Sequence, residues 1–214
     1  MYVIDAVHSD WQKGIYALTD AALLPDDDIF LSRAEAALAG GLALLQYRDK
    51  SDDAVKRRRQ ASALAALCRD YGTPLIINDD VVLAEQLNVG VHLGHDDGSI
   101  AQARERLGPD AIIGATCHTR LDLAVQAARE GASYLAFGRF FASKTKPHAP
   151  PAELSVLREA GYLGLPRVAI GGISASNAAQ AFSAGAELVA VVHAVFGHDD
   201  PKSAVETLKT GLIG

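Results

Sequence analysis

The sequence predicts an α/β fold, specifically a single-domain (β/α)8 TIM barrel. Three observations carry that prediction. Eight short apolar runs recur through the 214 residues. Most are followed by a polar tip and a helical pattern that closes on glycine. The glycine pair that an open nucleotide-binding sheet would place after its first strand stands after the seventh instead. Nearly continuous apolar runs suit strands covered on both faces of a parallel sheet, and eight β/α units fit a closed barrel of this length.

The predicted strands are GIYALTD (14–20), LALLQYRDK (42–50), PLIIND (74–79), VGVHLG (89–94), AIIGAT (111–116), YLAFG (134–138), PRVAIGG (166–172) and LVAVVH (188–193). Helical spacing separates them. Ala61, Leu64, Ala65 and Cys68 fall at i, i+3, i+4 and i+7 before Gly72, and Leu121, Ala124, Val125 and Ala128 do so before Gly131. Ala178, Ala181 and Phe182 share a face before Gly185. Ser51-Asp52-Asp53 and Ser174 are the expected N-caps. No Ser/Gly-rich linker divides the chain, so residues 14–214 are expected to form one domain. Residues 1–13 are expected to form an N-terminal arm or short lid.

Bulk composition narrows the function classes. Hydrophobic residues make up 49% of the chain, enough for a sizeable core, and the formal net charge is −6. That charge argues against nucleic acid or a membrane surface as partner, while leaving anionic substrates open to local charge. No apolar run is long enough to cross a bilayer, and the N-terminus lacks the apolar core of a signal peptide. Cys68 and Cys117 show no metal-ligand spacing and read as reduced thiols, so a cytoplasmic location is expected.

A barrel of this kind does its chemistry at the C-terminal strand ends. In the second strand, Gln46, Arg48 and Lys50 point to one side, and Tyr47 and Asp49 to the other. An Arg fork and a Lys point charge on one side suggest a phosphate or diphosphate clamp, against the plainer reading of two solvated cations. The third strand ends Asn78-Asp79-Asp80 and the fourth His92-Leu93-Gly94-His95-Asp96-Asp97. One carboxylate from each adjacent tip, completed by water and phosphate oxygens, suits Mg2+. His92 and His95 face apart in extended chain, which disfavours zinc. The fifth tip offers the Thr116 hydroxyl, and Cys117 and His118 face apart, which disfavours a thiol nucleophile. The sixth carries Ser143, Lys144, Thr145 and Lys146, and the seventh the Gly171-Gly172 turn, where backbone can approach phosphate. The eighth ends Val192-His193. Two anion sites with a metal between them suggest two phosphorylated substrates, one of which loses diphosphate.

From about Gly14 onward the chain resembles the thiamine-phosphate synthase family. The resemblance rests on ordered motifs: YALTD (16–20), LLQYRDK (44–50), LIINDD (75–80), GVHLGHDD (90–97), IIGATCHT (112–119), YLAFGRFFASKTK (134–146), AIGGI (169–173) and AGAELVAVVHAVF (184–196). It implies a transferase that joins a hydroxymethylpyrimidine diphosphate to a hydroxyethylthiazole phosphate, or its carboxylated form, with release of diphosphate. Gln46, Arg48, Lys50, Asn78, Thr116 and Lys146 would hold the pyrimidine diphosphate, with Arg48, Lys50, Thr116 and Lys146 serving catalysis. Asp79 and Asp97 would bind Mg2+, and Ser143, Thr145, Gly172, Val192 and His193 would line the thiazole-phosphate site. The implied partners are small phosphorylated molecules, with a homodimer as one expected assembly.

Three single positions and one loop depart from the family pattern. Thr116 stands where Ser is usual, His95 where Gln is usual and His193 where Ser is usual, and the loop at 142–146 lacks its two prolines. The changes fall mainly on the thiazole side, where weaker affinity or a modified thiazole is the expectation. The sister family of thiazole tautomerases, which typically lacks the Gln-x-Arg-x-Lys run and the Asn-Asp pair, is the second reading. A catalytically weak barrel that binds thiamine precursors is the third.

Overall fold

The computed structural model describes residues 11–141 and 152–212. Eight parallel strands close a barrel in chain order: β1 (Gly14–Leu18), β2 (Leu44–Tyr47), β3 (Leu75–Asn78), β4 (Gly90–Leu93), β5 (Ile113–His118), β6 (Tyr134–Gly138), β7 (Arg167–Ile170) and β8 (Leu188–Val191). β8 returns to pair with β1, placing Val189 opposite Ile15. Most strands are shorter than their apolar runs because the polar tips leave the ladder and turn into loops. β5 instead runs two residues past its expected end, with a register shift between Thr116 and His118.

Alternation along the strands sorts their side chains into two cores. Tyr16, Leu44, Ile76, Tyr134, Val168 and Leu188 fill the barrel, and Trp11 packs against this inner group. Ile15, Leu45, Ile77, Val91, Leu135 and Val189 face outward beneath the helices. The helices are α1 (Asp27–Ala39), α2 (Ala54–Asp70), α3 (Val81–Leu87), α4 (Ile100–Leu107), α5 (Leu121–Arg129), α6 (Ser155–Glu159), α7 (Ala178–Ser183), α8 (His193–Phe196) and α9 (Pro201–Thr210). A 3-10 turn at Ala160–Leu163 follows α6.

Asp26, Asp53, Asp80, Ser99 and Asp200 each cap a helix by accepting from the N–H three residues on. Asp53 is therefore the cap within the predicted Ser51-Asp52-Asp53 group. Ser174 is not a cap. α7 begins at Ala178 after Asn177, whose side chain accepts from the Ser174 N–H at 2.8 Å. α2 buries Ala61, Leu64, Ala65 and Cys68 as its spacing predicts. α5 is rotated from its expected face and buries Leu123, Ala124 and Ala127. Its sequence carries two overlapping apolar stripes, and packing selects the one that holds Leu123.

Candidate active site

The C-terminal strand ends surround a cavity of about 380 Å3. β2 and the turn after it supply its cationic wall. Gln46, Arg48 and Lys50 all line the cavity. Tyr47 and Asp49 turn outward, where the Tyr47 hydroxyl donates to Gln60 Oε1 at 3.1 Å and Lys56 Nζ donates to Asp49 Oδ2 at 2.8 Å. The Asp49 side chain is only 3% exposed. Burial opposes its charge, but the bonds from Lys56 and Ser51 prevail and hold its carboxyl below the usual range. The polar stretch that ends β2 therefore serves two sides of the sheet, with Asp49 neutralised beneath the helices and the cations left to the cavity.

Asn78-Asp79-Asp80 is divided in the same way. Asn78 and Asp79 line the cavity, while Asp80 caps α3 and pairs with Arg57 at 3.4 Å. Asn78 Nδ2 donates to Asp79 Oδ2 at 2.5 Å, and Lys50 Nζ lies 4.0 Å from the same oxygen. Burial pushes the Asp79 carboxyl up, and the charge of Asp97 pushes it further, with Lys50 and Asn78 opposing. Two carboxylates that repel one another at a cavity wall are a donor set that a dication would relieve. Among the described residues no group of three or more His, Cys, Asp or Glu could enclose a metal. The pair therefore fits a hard cation that takes its other oxygens from water and phosphate.

Along the cavity wall, side chains from five strands form a hydrogen-bonded chain, of which Tyr16, Gln46, His92 and Thr116 line the cavity. Gln46 Nε2 donates to the Tyr16 hydroxyl at 2.5 Å, which meets the Tyr134 hydroxyl at 2.8 Å. His92 links Tyr134 at 3.0 Å through Nδ1 to the Thr116 hydroxyl at 2.9 Å through Nε2. Burial pushes the His92 imidazole down to about 4, against the opposing charge of Asp97, and pushes both phenols well above their usual range. With both ring nitrogens engaged and the ring neutral, His92 has no free nitrogen for zinc. His95 is exposed.

Cys117 is fully buried, and burial pushes its thiol up to about 12. His118 is exposed. The thiol-nucleophile reading disfavoured by the sequence has no support in this geometry.

β7 runs into Gly171 and Gly172, both with positive φ at 99° and 67°. A Cβ on Gly171 would come within 2.2 Å of Arg139 Cβ, so glycine is required there by both conformation and space. Val192 follows β8, and His193 is the first residue of α8 rather than the end of a strand. Gly172, Val192 and His193 follow closely on Ile170 and Ala190, which line the cavity. Arg33 of α1 holds the far end of α8, donating to the carbonyls of Phe196, at 2.8 Å, and of His198. Ser143, Thr145 and Lys146 lie outside the described residues.

A family model described as "Thiamine monophosphate synthase" matches residues 15–195. The chain belongs to that family. It is 53% identical over 197 residues to the thiamine-phosphate synthase of Chromobacterium violaceum, covering 92% of this chain and 94% of that protein. It is 55% identical over 188 residues to the thiamine-phosphate synthase of Saccharophagus degradans, covering 87% of each. Among solved structures, the thiamine phosphate pyrophosphorylase from Pyrococcus furiosus superposes with a TM-score of 0.82 at 31% identity, covering 94% of this chain and 96% of that one. Thiamine-phosphate synthesis is thus the activity of this chain, and it is a transferase.

For a thiamine monophosphate synthase the larger groove of the molecule is in the wrong place. About 690 Å3 in volume, it lies at the opposite barrel end, against Thr73, Pro74, Val89 and Ile112 at the starts of β3 to β5. That face of a barrel serves stability. The synthase site also holds residues that the sequence reading passed over: Tyr16, Tyr134 and the structural role of His92. All three sit inside apolar runs. The available signal was their inward phase, the same as that of Gln46 and Thr116.

Proposed function

We propose that the cavity joins 4-amino-2-methyl-5-hydroxymethylpyrimidine diphosphate to 4-methyl-5-hydroxyethylthiazole phosphate, and that Mg2+ assists. The observation that carries this reading is the convergence of Gln46, Arg48, Lys50, Asn78, Asp79, Asp97 and Thr116 on one cavity. Gln46 Oε1 is buried without a partner, an acceptor suited to the pyrimidine amino group. Arg48 and Lys50 face the diphosphate, with Thr116 and Lys146 completing that set. Asp79 and Asp97 would hold Mg2+, which when bound supplies charge neutralisation to phosphate oxygens.

The chemistry asks for a stabilised leaving group rather than a strong base. The bond between the methylene carbon and the diphosphate oxygen breaks, with its electron pair leaving on diphosphate. The thiazole nitrogen then donates its lone pair to the methylene cation and becomes thiazolium. No proton moves in either step, which agrees with a site built of cations and hydroxyls. Ser143, Thr145, Gly172, Val192 and His193 are assigned to the thiazole phosphate. The substrates are small phosphorylated molecules, and among the described residues no helix is long and apolar enough to cross a membrane.

Incubation with both substrates and Mg2+ tests the reading. Diphosphate should appear only when both are present, whereas thiazole isomerisation without diphosphate would support the tautomerase reading. Asp79→Asn should lower Mg2+-dependent turnover by roughly 10- to 100-fold with an unchanged melting temperature. Full activity in that variant would remove the metal assignment.

A further inference from the structure

We propose that Tyr16, Tyr134 and His92 are positioning residues forming a one-way hydrogen-bond chain that makes Thr116 a donor to the diphosphate. The inference rests on the reading above, in which Gln46 meets the pyrimidine and Thr116 the diphosphate.

The direction follows from counting protons. Gln46 Nε2 donates to the Tyr16 oxygen at 2.5 Å. Tyr16 is buried, and among the described residues its own proton has one acceptor within reach, the Tyr134 oxygen at 2.8 Å. Were Tyr134 to donate to Tyr16 instead, the Tyr16 proton would be buried without an acceptor, which is costly. Tyr134 therefore passes its proton to His92 Nδ1 at 3.0 Å. The imidazole must then carry its hydrogen on Nε2 and give it to Thr116 Oγ1 at 2.9 Å. Thr116 lines the cavity with its lone pair engaged and its proton left to give. A diphosphate oxygen is an acceptor, so this is the polarity that the leaving group needs.

The chain is built into the barrel. Tyr134 is held edge-on by Trp11 and Tyr16, with its ring nearly parallel to that of His92 at 15°. A Cβ on Gly114 would come 2.0 Å from the Tyr134 ring, so glycine at that position is what admits the phenol. The methyl of Thr116, absent from the usual Ser, restricts χ1 and helps hold the hydroxyl.

The far end explains how the direction is chosen. Gln46 Oε1, unpartnered and buried, would accept from the pyrimidine amino group, which fixes Nε2 toward Tyr16. An amide turned the other way would reverse every bond and make Thr116 donate to His92. Ring recognition at one end thereby sets the donor at the other, 70 residues away in sequence.

The 15N spectrum of the histidine side chains in protein saturated with the pyrimidine diphosphate, with His92→Gln to assign the signals, reads the chain directly. The expected result is His92 protonated at Nε2. Tyr134→Phe removes one oxygen, and it should leave the melting curve cooperative, mix the two His92 tautomers and lower kcat about tenfold with little change in pyrimidine KM. An Nδ1-protonated His92 in the wild-type protein, or wild-type kcat in Tyr134→Phe, overturns the chain. Thr116→Val separates the chain from the reading beneath it. If it too keeps wild-type kcat, the assignment of Thr116 to the diphosphate fails; if it alone loses kcat, only the chain fails.

Discussion

Asp79 carries its carboxylate on backbone that L residues rarely adopt, with φ of 63°. Asp tolerates this region better than most residues, and the bond from Asn78 helps hold the side chain there. The strain places Asp79 toward the cavity while Asp80, its neighbour, is released to cap a helix. His193 poses a different question, because an exposed imidazole stands where a small hydroxyl is usual in the family. If its bulk is a handicap, His193→Ser should lower the KM for thiazole phosphate severalfold; an unchanged KM would dismiss the idea. His92 predicts a pH effect on stability. In the unfolded chain it takes up a proton near pH 6.5, and in the folded protein only near 4. Between those values the unfolded state binds more protons, so stability falls as pH drops through that window and is unaffected above it. Each tenfold loss of proton affinity on folding corresponds to about 1.4 kcal/mol. Urea midpoints from pH 7.5 to 4.5 should fall more steeply for the wild type than for His92→Gln, and parallel curves would refute the assignment. The alternation of Gln46, Arg48 and Lys50 against Tyr47 and Asp49 was legible in the sequence, because period-two geometry is local. The left-handed Asp79 was not, because only the surrounding tertiary structure imposes it.

At the scale of elements, all eight strands were legible because each is a nearly continuous apolar run bounded by turn residues. Their ends were not, since a polar tip such as Arg48-Asp49-Lys50 reads equally as strand or loop until neighbouring strands fix the ladder. The same ambiguity hid α8, a four-residue helix whose only apolar signal merges with β8. Helix faces were legible where one stripe dominates, as in α2, and not where two compete, as in α5. The inward polar chain was missed for a related reason. Tyrosine within an apolar run counts as apolar, although its hydroxyl inside a barrel must find a partner. Gly114 on β5 gives this packing a test. Gly114→Ala would place a methyl against the Tyr134 ring, and overpacking of this kind costs about 1–3 kcal/mol. The variant should lose stability and kcat together, whereas wild-type values for both would show that the ring has room to move.

At the scale of the whole molecule, closure depends on the chain's two ends meeting. α9 buries Pro201, Val205 and Leu208, and Gly40 at the end of α1 lies so close that an added Cβ would come 2.7 Å from Val205 Cβ. Val205→Ala should therefore lower the global unfolding free energy by about 2 kcal/mol in denaturant titration while leaving both substrate KM values alone. A midpoint unchanged from wild type would mean that the α1–α9 contact is dispensable. Composition had already narrowed the class of molecule, since an apolar content of 49% allows a large core and a net charge of −6 argues against nucleic acid or a membrane surface as partner. The pairing of β1 with β8 has one more consequence, for how the chain is made. β1 emerges first from the ribosome and β8 last of the strands, so a growing chain exposes one edge of β1 until residue 191 has been synthesised. Until that moment its unpaired amides are open to any passing strand, and the synthesis of β8 is what ends the danger.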